Sequence, residues 1–240
     1  MTDEVFLQRM TWPEIEAAIA GGKRRAIICA ASSEQHGPHL PEATDEMLGE
    51  ALAGRLARRW GDALVAPVIR PGCSEHHMAF AGSLTISPEL LMSLLDSYVD
   101  SLGRHGFDRF AIFSSHGGNF PVLAEWGRTR PKPGATVASD LNGFCNAMFA
   151  AIRDFGRDDS TIPHADVMET AEMLLFQPEL VRMERAEPGF EGEASLELLQ
   201  RVGMRGLTRN GILGNPVGAS TEMGEAVASA LVEWLAAELG

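Results

Sequence analysis

The chain has 240 residues, 45% of them hydrophobic and 22% charged, enough apolar material for one core that needs no metal or disulfide staples. Acidic residues outnumber basic ones 33 to 20, for a net charge of −13, which argues against nucleic acid or an anionic membrane surface as partner, since both need clustered Lys and Arg. Three scattered cysteines (Cys29, Cys73 and Cys145) without CxxC spacing read as reduced thiols of a cytoplasmic protein, and no signal-like N-terminus or membrane-length apolar run stands out.

Taken in chain order, Thr11, Pro13 and Glu14 carry the signature of a capped first helix. Residues 25–31 form an apolar run of strand length, the kind buried on both faces of a parallel sheet. Residues 45–60 read as a helix, with Met47, Leu48, Leu52, Leu56 and Trp60 recurring on one side. A second buried strand is expected over 63–69. Ser87-Pro88-Glu89 opens a long helix that stops near Gly106. A third strand follows at 110–113, a helix at 120–128, a weaker strand at 136–139, and a helix at 142–155. Residues after Pro163 are read as helical to about Phe176, and a closing helix covers 222–239. Residues 182–215 are rich in Gly and Glu and read as irregular. Strand and helix alternate through the first two thirds. The expectation is a single α/β domain over 1–240, with a mostly parallel sheet flanked by helices.

Six of the seven histidines fall at expected strand ends or helix starts. After the first strand comes Ser33-Glu34-Gln35-His36-Gly37-Pro38-His39, with Asp45 opening the next helix. If strand geometry persists past Ala31, Glu34 and His36 project to one face. That face lies at the carboxyl edge, where open α/β sheets bind ligands. A carboxylate and an imidazole there can ligate a divalent cation, and the two oxygens of Asp45 could bridge a pair; a plain Glu–His hydrogen bond beside a helix cap is the competing account. His116-Gly117-Gly118-Asn119 places another histidine at the same edge, in what is otherwise an ordinary strand-to-helix turn. His164-Ala165-Asp166, with Glu169 inside the following helical pattern, reads equally well as an exposed acidic face. Glu75-His76-His77 is either a polar loop or a substrate contact, with at most one of its histidines facing the edge. His105, in the last turn of the long helix, reads as structural.

Glu34, His36, Asp45, His116 and Glu169 therefore form a pool of nitrogen and carboxylate ligands without thiolates, suited to Zn²⁺, Mn²⁺ or Fe²⁺. Two imidazoles and three carboxylates exceed the needs of one ion with an open position and match two ions about 3.5–4 Å apart.

Glu34-Gln35-His36-Gly37-Pro38-His39-Leu40-Pro41 with Thr44-Asp45, then His116-Gly117-Gly118-Asn119, then His164-Ala165 with Glu169-Thr170, resemble the creatininase (creatinine amidohydrolase) family. The resemblance runs from about Trp12 to Leu180. It implies a three-layer α/β/α fold and a dinuclear metal site, with Glu34, Asp45 and His116 on one ion, His36, Asp45 and Glu169 on the other, and Asp45 bridging. It further implies two divalent ions per subunit (zinc first, manganese or iron as alternatives), a small-molecule substrate and a homohexamer. Most of the family's activities open a C–N amide bond, as in a cyclic amide or formamide; one cleaves a C–C bond of a cyclic polyhydroxy ketone. A metal-binding homologue without activity is the remaining reading. Catalytic roles fall to His164, as the group protonating the leaving atom, and to Glu34. Substrate contacts are expected from His77, Glu75, Gly117, Gly118, Asn119 and Asp166. The chain departs from the family pattern at Glu42-Ala43, Ser114-Ser115 and Asp166, all beside the expected metals. It also has Gly117 and Gly118 where creatininase proper is bulkier, so creatinine itself is not the expected substrate.

Overall fold

The computed structural model describes residues 4–157 and 162–240; residues 1–3 of the N-terminal stretch considered above lie outside it. The apolar runs become strands β1 (Arg25–Ala30), β2 (Ala63–Val65), β3 (Arg109–Ser114) and β4 (Ala135–Val137), in the order β2-β1-β3-β4 with every neighbouring pair parallel. The helices are α1 (Trp12–Ala20), α2 (Thr44–Trp60), α3 (Pro88–Arg104), α4 (Phe120–Thr129), α5 (Leu141–Ile152), α6 (Val167–Phe176), α7 (Leu196–Val202), α8 (Met204–Leu207) and α9 (Thr221–Leu239). None is long and apolar enough to cross a membrane.

Strand alternation divides the core in two. Ala26, Ile28 and Ala30, with Phe110 and Ile112, face α1, α3 and α4. Ile27 and Cys29, with Ala111 and Phe113, face α2, α5, α6 and α9. The result is the expected three-layer α/β/α arrangement. Leu91 and Leu95 anchor α3 from fully buried positions, each worth about 1.5–3 kcal/mol. Local signals start the helices where the pattern places them. Glu14 accepts from the Thr11 backbone N–H at 2.7 Å, and Ser87 Oγ accepts from Leu90 N at 3.2 Å.

Three expectations need correction. The second strand ends at Val65 rather than Ile69, because the two-residue register breaks: Ala66 N donates to the Ile27 carbonyl, but the next bond to β1 comes three residues on, from Ile69 N to the Cys29 carbonyl, and Ile69 makes only an isolated bridge to Ala30. The helix after Pro163 begins at Val167, because Ala165 takes a left-handed φ of 51° that interrupts it. The stretch 182–215 contains α7 and α8, and these lie over the site described next.

The chain leaves β1 toward β2 on one side of the sheet and leaves β3 toward β4 on the other. The connections after β1 and β3 therefore diverge and open a crevice at their carboxyl ends. This is the switch point where open α/β sheets bind ligands.

Candidate metal centre

The turn after β1 carries Glu34 and His36, α2 carries Asp45 in its first turn, the turn after β3 carries His116, and α6 carries Glu169. All five converge in the crevice. Past Ala30 the chain is not a regular strand. A bridge from Ser33 to Leu84 and a local one from His36 to Leu40 shape it instead, so Glu34 and His36 meet through loop geometry rather than pleat alternation.

Two sets of three residues bring a ligand atom each within 4.8 Å of the others: Glu34, Asp45 and His116, and His36, Asp45 and Glu169. Asp45 belongs to both. Its Oδ1 is 3.1 Å from His36 Nε2, and its Oδ2 is 3.4 Å from His116 Nδ1. Glu34 Oε1 is 3.1 Å from His116 Nδ1, and Glu169 Oε2 is 3.8 Å from His36 Nε2. Glu34, His36 and His164 form a third such set. Glu34 is fully buried, and neither of its carboxylate oxygens has an aligned hydrogen-bond partner; nor does Asp45 Oδ2. Buried carboxylate oxygens left this way are costly unless a cation meets them, so the residues fit a divalent ion. With imidazole and carboxylate donors alone, Zn²⁺, Mn²⁺ and Fe²⁺ suit the set.

Supporting contacts orient these candidate ligands. His36 Nδ1 lies 3.0 Å from the main-chain oxygen of Glu34, which turns Nε2 toward Asp45. Ser115 Oγ donates to the Asp45 carbonyl at 2.7 Å. The Ala165 N–H donates to Glu169 Oε2 at 2.6 Å, so the left-handed turn that delays α6 also fixes this carboxylate. Burial and the neighbouring groups compete in setting charge. Burial pushes the Glu34 carboxyl up, but His116 and His77 overcome it and hold the group well below the usual carboxylate range. Burial opposes charge on His36 and His116 too. Asp45 and Glu169 nonetheless push His36 up to about 10, and Glu34 and Asp45 push His116 up to about 9. Glu169 is raised to about 7 by burial, and Asp45 is raised by burial with Glu34 adding to the effect.

Five histidines pack together here. His36 and His164 have ring centroids 4.3 Å apart, His77 and His164 4.6 Å, and His76 stacks on His116 at 5.7 Å. Both His76 and His77 line the inner cavity, against the expectation of one at most. The cavity, about 40 Å³, is roofed by Leu196, Leu199, Met204 and Leu213, and Gly117, Gly118 and His164 also line it. A larger groove of about 750 Å³ meets it at His76 and Gly118.

The remaining expected substrate contacts are placed differently. Glu75 is exposed and lines the outer groove. Asn119 is buried. Its Oδ1 accepts from Cys73 N, its Nδ2 donates to the Ala30 and Ala31 carbonyls, and its N–H is taken by the His116 carbonyl. Asp166 Oδ1 caps α6 by accepting from Met168 N and Glu169 N. The structure therefore keeps His77, Gly117 and Gly118 at the inner cavity and sets Glu75, Asn119 and Asp166 outside its lining. His105 caps the C-terminal end of α3, is exposed and does not line the inner cavity. Composition alone gave no sign that residues 196–213 would roof the site; the apolar spacing of Leu196, Leu199 and Met204 was the available signal.

Fold and cluster define an α/β/α protein built around a candidate divalent-cation site at a sheet switch point. The family model described as creatinine amidohydrolase (creatininase) matches residues 8–239. The chain is 32% identical over 233 residues to the mycofactocin precursor peptide peptidase of Mycobacterium ulcerans (strain Agy99), covering 93% of this chain and 83% of that protein. It is 26% identical to the creatinine amidohydrolase of Pseudomonas putida, covering 77% and 76%. It is 24% identical to the 3-dehydro-scyllo-inosose hydrolase of Thermotoga maritima, covering 80% and 64%. A solved structure described as creatininase Mn superposes with a TM-score of 0.79 at 25% identity, covering 98% of this chain and 96% of that one. A mutant creatininase described as Zn-Zn type gives 0.77 at 25% identity, covering 98% and 97%. The chain belongs to the creatininase family and is a hydrolase.

Proposed function

We propose that this protein is a hydrolase dependent on two divalent metal ions, zinc first among them, that opens a C–N amide bond. The observation that carries the reading is the set of buried carboxylate oxygens of Glu34 and Asp45 that lack hydrogen-bond partners, within reach of His36 and His116. Glu34, Asp45 and His116 would hold one ion and His36, Asp45 and Glu169 the other. Ions bound there would polarise the scissile carbonyl and lower the pKa of the attacking water.

His164 supplies the proton transfer. Its Nε2 lies 2.7 Å from the Gln35 main-chain oxygen, which only accepts, so Nε2 carries a hydrogen. In the neutral ring Nδ1 then holds a lone pair, 3.8 Å from Glu34 Oε1. Burial, with His36 nearby, keeps the pKa of His164 well below the ordinary value, so the neutral form is the resting one. Nδ1 takes the proton of the attacking water as the C–O bond forms, and returns it to the leaving nitrogen as the C–N bond breaks. Gly117, where a Cβ would meet nothing within 4 Å, leaves the approach open, and His77 faces the same space from beside Glu34.

Two relatives named as a peptidase and an amidohydrolase support an amide substrate. The narrow inner cavity, continuous with a larger groove, suits a substrate that presents one carbonyl inward and lays its remainder outside. The relative named 3-dehydro-scyllo-inosose hydrolase motivates a cyclic polyhydroxy ketone, cleaved at a C–C bond, as the second reading. A homohexamer completes the expectation from the family, and the scattered cysteines without CxxC spacing are the basis for a cytoplasmic location. The deciding experiment is elemental analysis followed by a substrate panel of a short peptide, a cyclic amide, a formamide and a keto-cyclitol. Turnover of an amide that disappears with chelation and returns with zinc is expected. Turnover of the keto-cyclitol alone would overturn the C–N assignment.

A further inference from the structure

Gln35 sits between the two candidate ligands of its own loop and is itself in none of the candidate ligand sets. It is buried, and all its polar atoms are engaged. Oε1 accepts from Gly37 N at 3.0 Å, which fixes the orientation of the amide. Nε2 lies 3.1 Å from the Gly211 carbonyl, 3.0 Å from His77 Nδ1 and 2.9 Å from His164 Nε2. Gly211, at φ 82°, lies so close that a Cβ there would collide with Gln35 Oε1, so the backbone is shaped to receive this amide.

Three contacts compete for two amide hydrogens, and donor–acceptor chemistry decides among them. The Gly211 carbonyl can only accept, so it takes one. His164 Nε2 already carries its own hydrogen, donated to the Gln35 main-chain oxygen, and cannot accept another. The second amide hydrogen therefore goes to His77 Nδ1, which must be an unprotonated acceptor. The proton of His77 is then on Nε2, which faces Glu34 Oε1 at 3.3 Å.

We propose that Gln35 is a positioning residue that sets the tautomer of His77, so that His77 presents an N–H and His164 a lone pair to the Glu34 end of the site. One residue thereby supplies the site with a donor from its side-chain contact and an acceptor from its main-chain contact. This N–H is placed to hydrogen-bond an oxygen arriving beside Glu34, such as that of a substrate carbonyl. The use of that donor rests on the hydrolase reading above; the tautomer itself does not.

The test is histidine-ring ¹⁵N NMR of the full chain, zinc-saturated and metal-free, with the His77 signals assigned by their loss in His77→Gln. In the wild type, His77 is expected to show Nδ1 unprotonated and Nε2 protonated. Gln35→Glu is close to isosteric but replaces the donor with an acceptor, so His77 Nδ1 is expected to gain a proton. Gln35→Met removes both functions without charge and is expected to release His77 into a mixture of tautomers. His164 should keep its Nε2 proton in both variants, because its acceptor is main chain. A wild-type His77 carrying its proton on Nδ1, or a His77 spectrum unchanged in Gln35→Glu and Gln35→Met, would overturn the proposal. Loss of zinc binding would instead count against the metal reading, and the metal-free spectra would still decide the tautomer.

Discussion

His39 Nε2 lies 2.8 Å from Thr170 Oγ1, a buried hydrogen bond joining the turn after β1 to the helix that carries Glu169. The contact couples two parts of the candidate ligand set that are more than a hundred residues apart in sequence. Loop and helix are held in register by a group that is not itself in either ligand set.

That bond carries a pH signature. Burial, with His36 adding, pushes His39 down from its ordinary 6.5 to about 4. The unfolded chain binds this proton as pH falls through 6.5, while the native state resists it until about 4. Stability is therefore lost on acidification across that window. His39→Leu is expected to cost about 0.5–1.5 kcal/mol at neutral pH through the lost hydrogen bond. It should also flatten the decline of the melting temperature between pH 6.5 and 4, as followed by calorimetry. An equally steep decline in the variant would show that His39 is not a source of the acid sensitivity.

Asp45 and His164 should separate metal binding from proton transfer. Asp45→Ala removes the carboxylate common to both ligand sets and is expected to lose bound metal and activity together. His164→Ala is expected to retain metal while turnover drops by about 10²–10⁴. Elemental analysis beside single-turnover kinetics reads both. Because His164 also forms a set with Glu34 and His36, an empty His164→Ala protein would reassign it as a ligand.

The two glycines after His116 should behave oppositely. A Cβ on Gly118 would collide with His116 Nε2 and lie 2.5 Å from the Cys73 carbonyl, whereas a Cβ on Gly117 meets nothing within 4 Å. Gly118→Ala is expected to displace His116, lower metal affinity and cost about 1–3 kcal/mol. Gly117→Ala should fold normally, keep its metal and act mainly on KM by narrowing the approach. Chemical denaturation and metal titration of the pair distinguish these effects.

Metal uptake should release protons. His36 at about 10 and His116 at about 9 are protonated at neutral pH in the metal-free protein, and each must become neutral to act as a ligand. Affinity is therefore expected to rise with pH from neutrality toward 9–10 and to fall on acidification. Calorimetric titration with zinc, in buffers of different ionisation enthalpy, should register proton release from both imidazoles at pH 7. Uptake without proton release would contradict the placement of these two residues as ligands.

Much of this molecule could be read from its linear order. Apolar runs at 25–31 and 110–113 have no use except in a doubly covered sheet, because their side chains are hydrophobic on both faces. The capped starts at Thr11 and Ser87 depend on neighbours only three residues away, so they survive whatever the rest of the chain does. Glu34, His36, Asp45, His116 and Glu169 were recognisable by residue type and by their positions at element ends. The family motifs named the same set.

Other features arise only when distant segments meet. The roof of α7 and α8 has weak local patterning and acquires its role by packing Leu199 and Met204 over the histidines. Glu34 and His36 converge because bridges to Leu84 and Leu40 bend the chain, not because of strand periodicity. Gln35 lies in the centre of the recognised motif, yet its function depends on Gly211 and His164, which hydrogen-bond to it from across the fold. Residue type and periodicity are properties of a short stretch of chain and so are written in the sequence. Which nitrogen carries a proton, and which oxygen lacks a partner, is decided by atoms that only folding brings within three ångströms of one another.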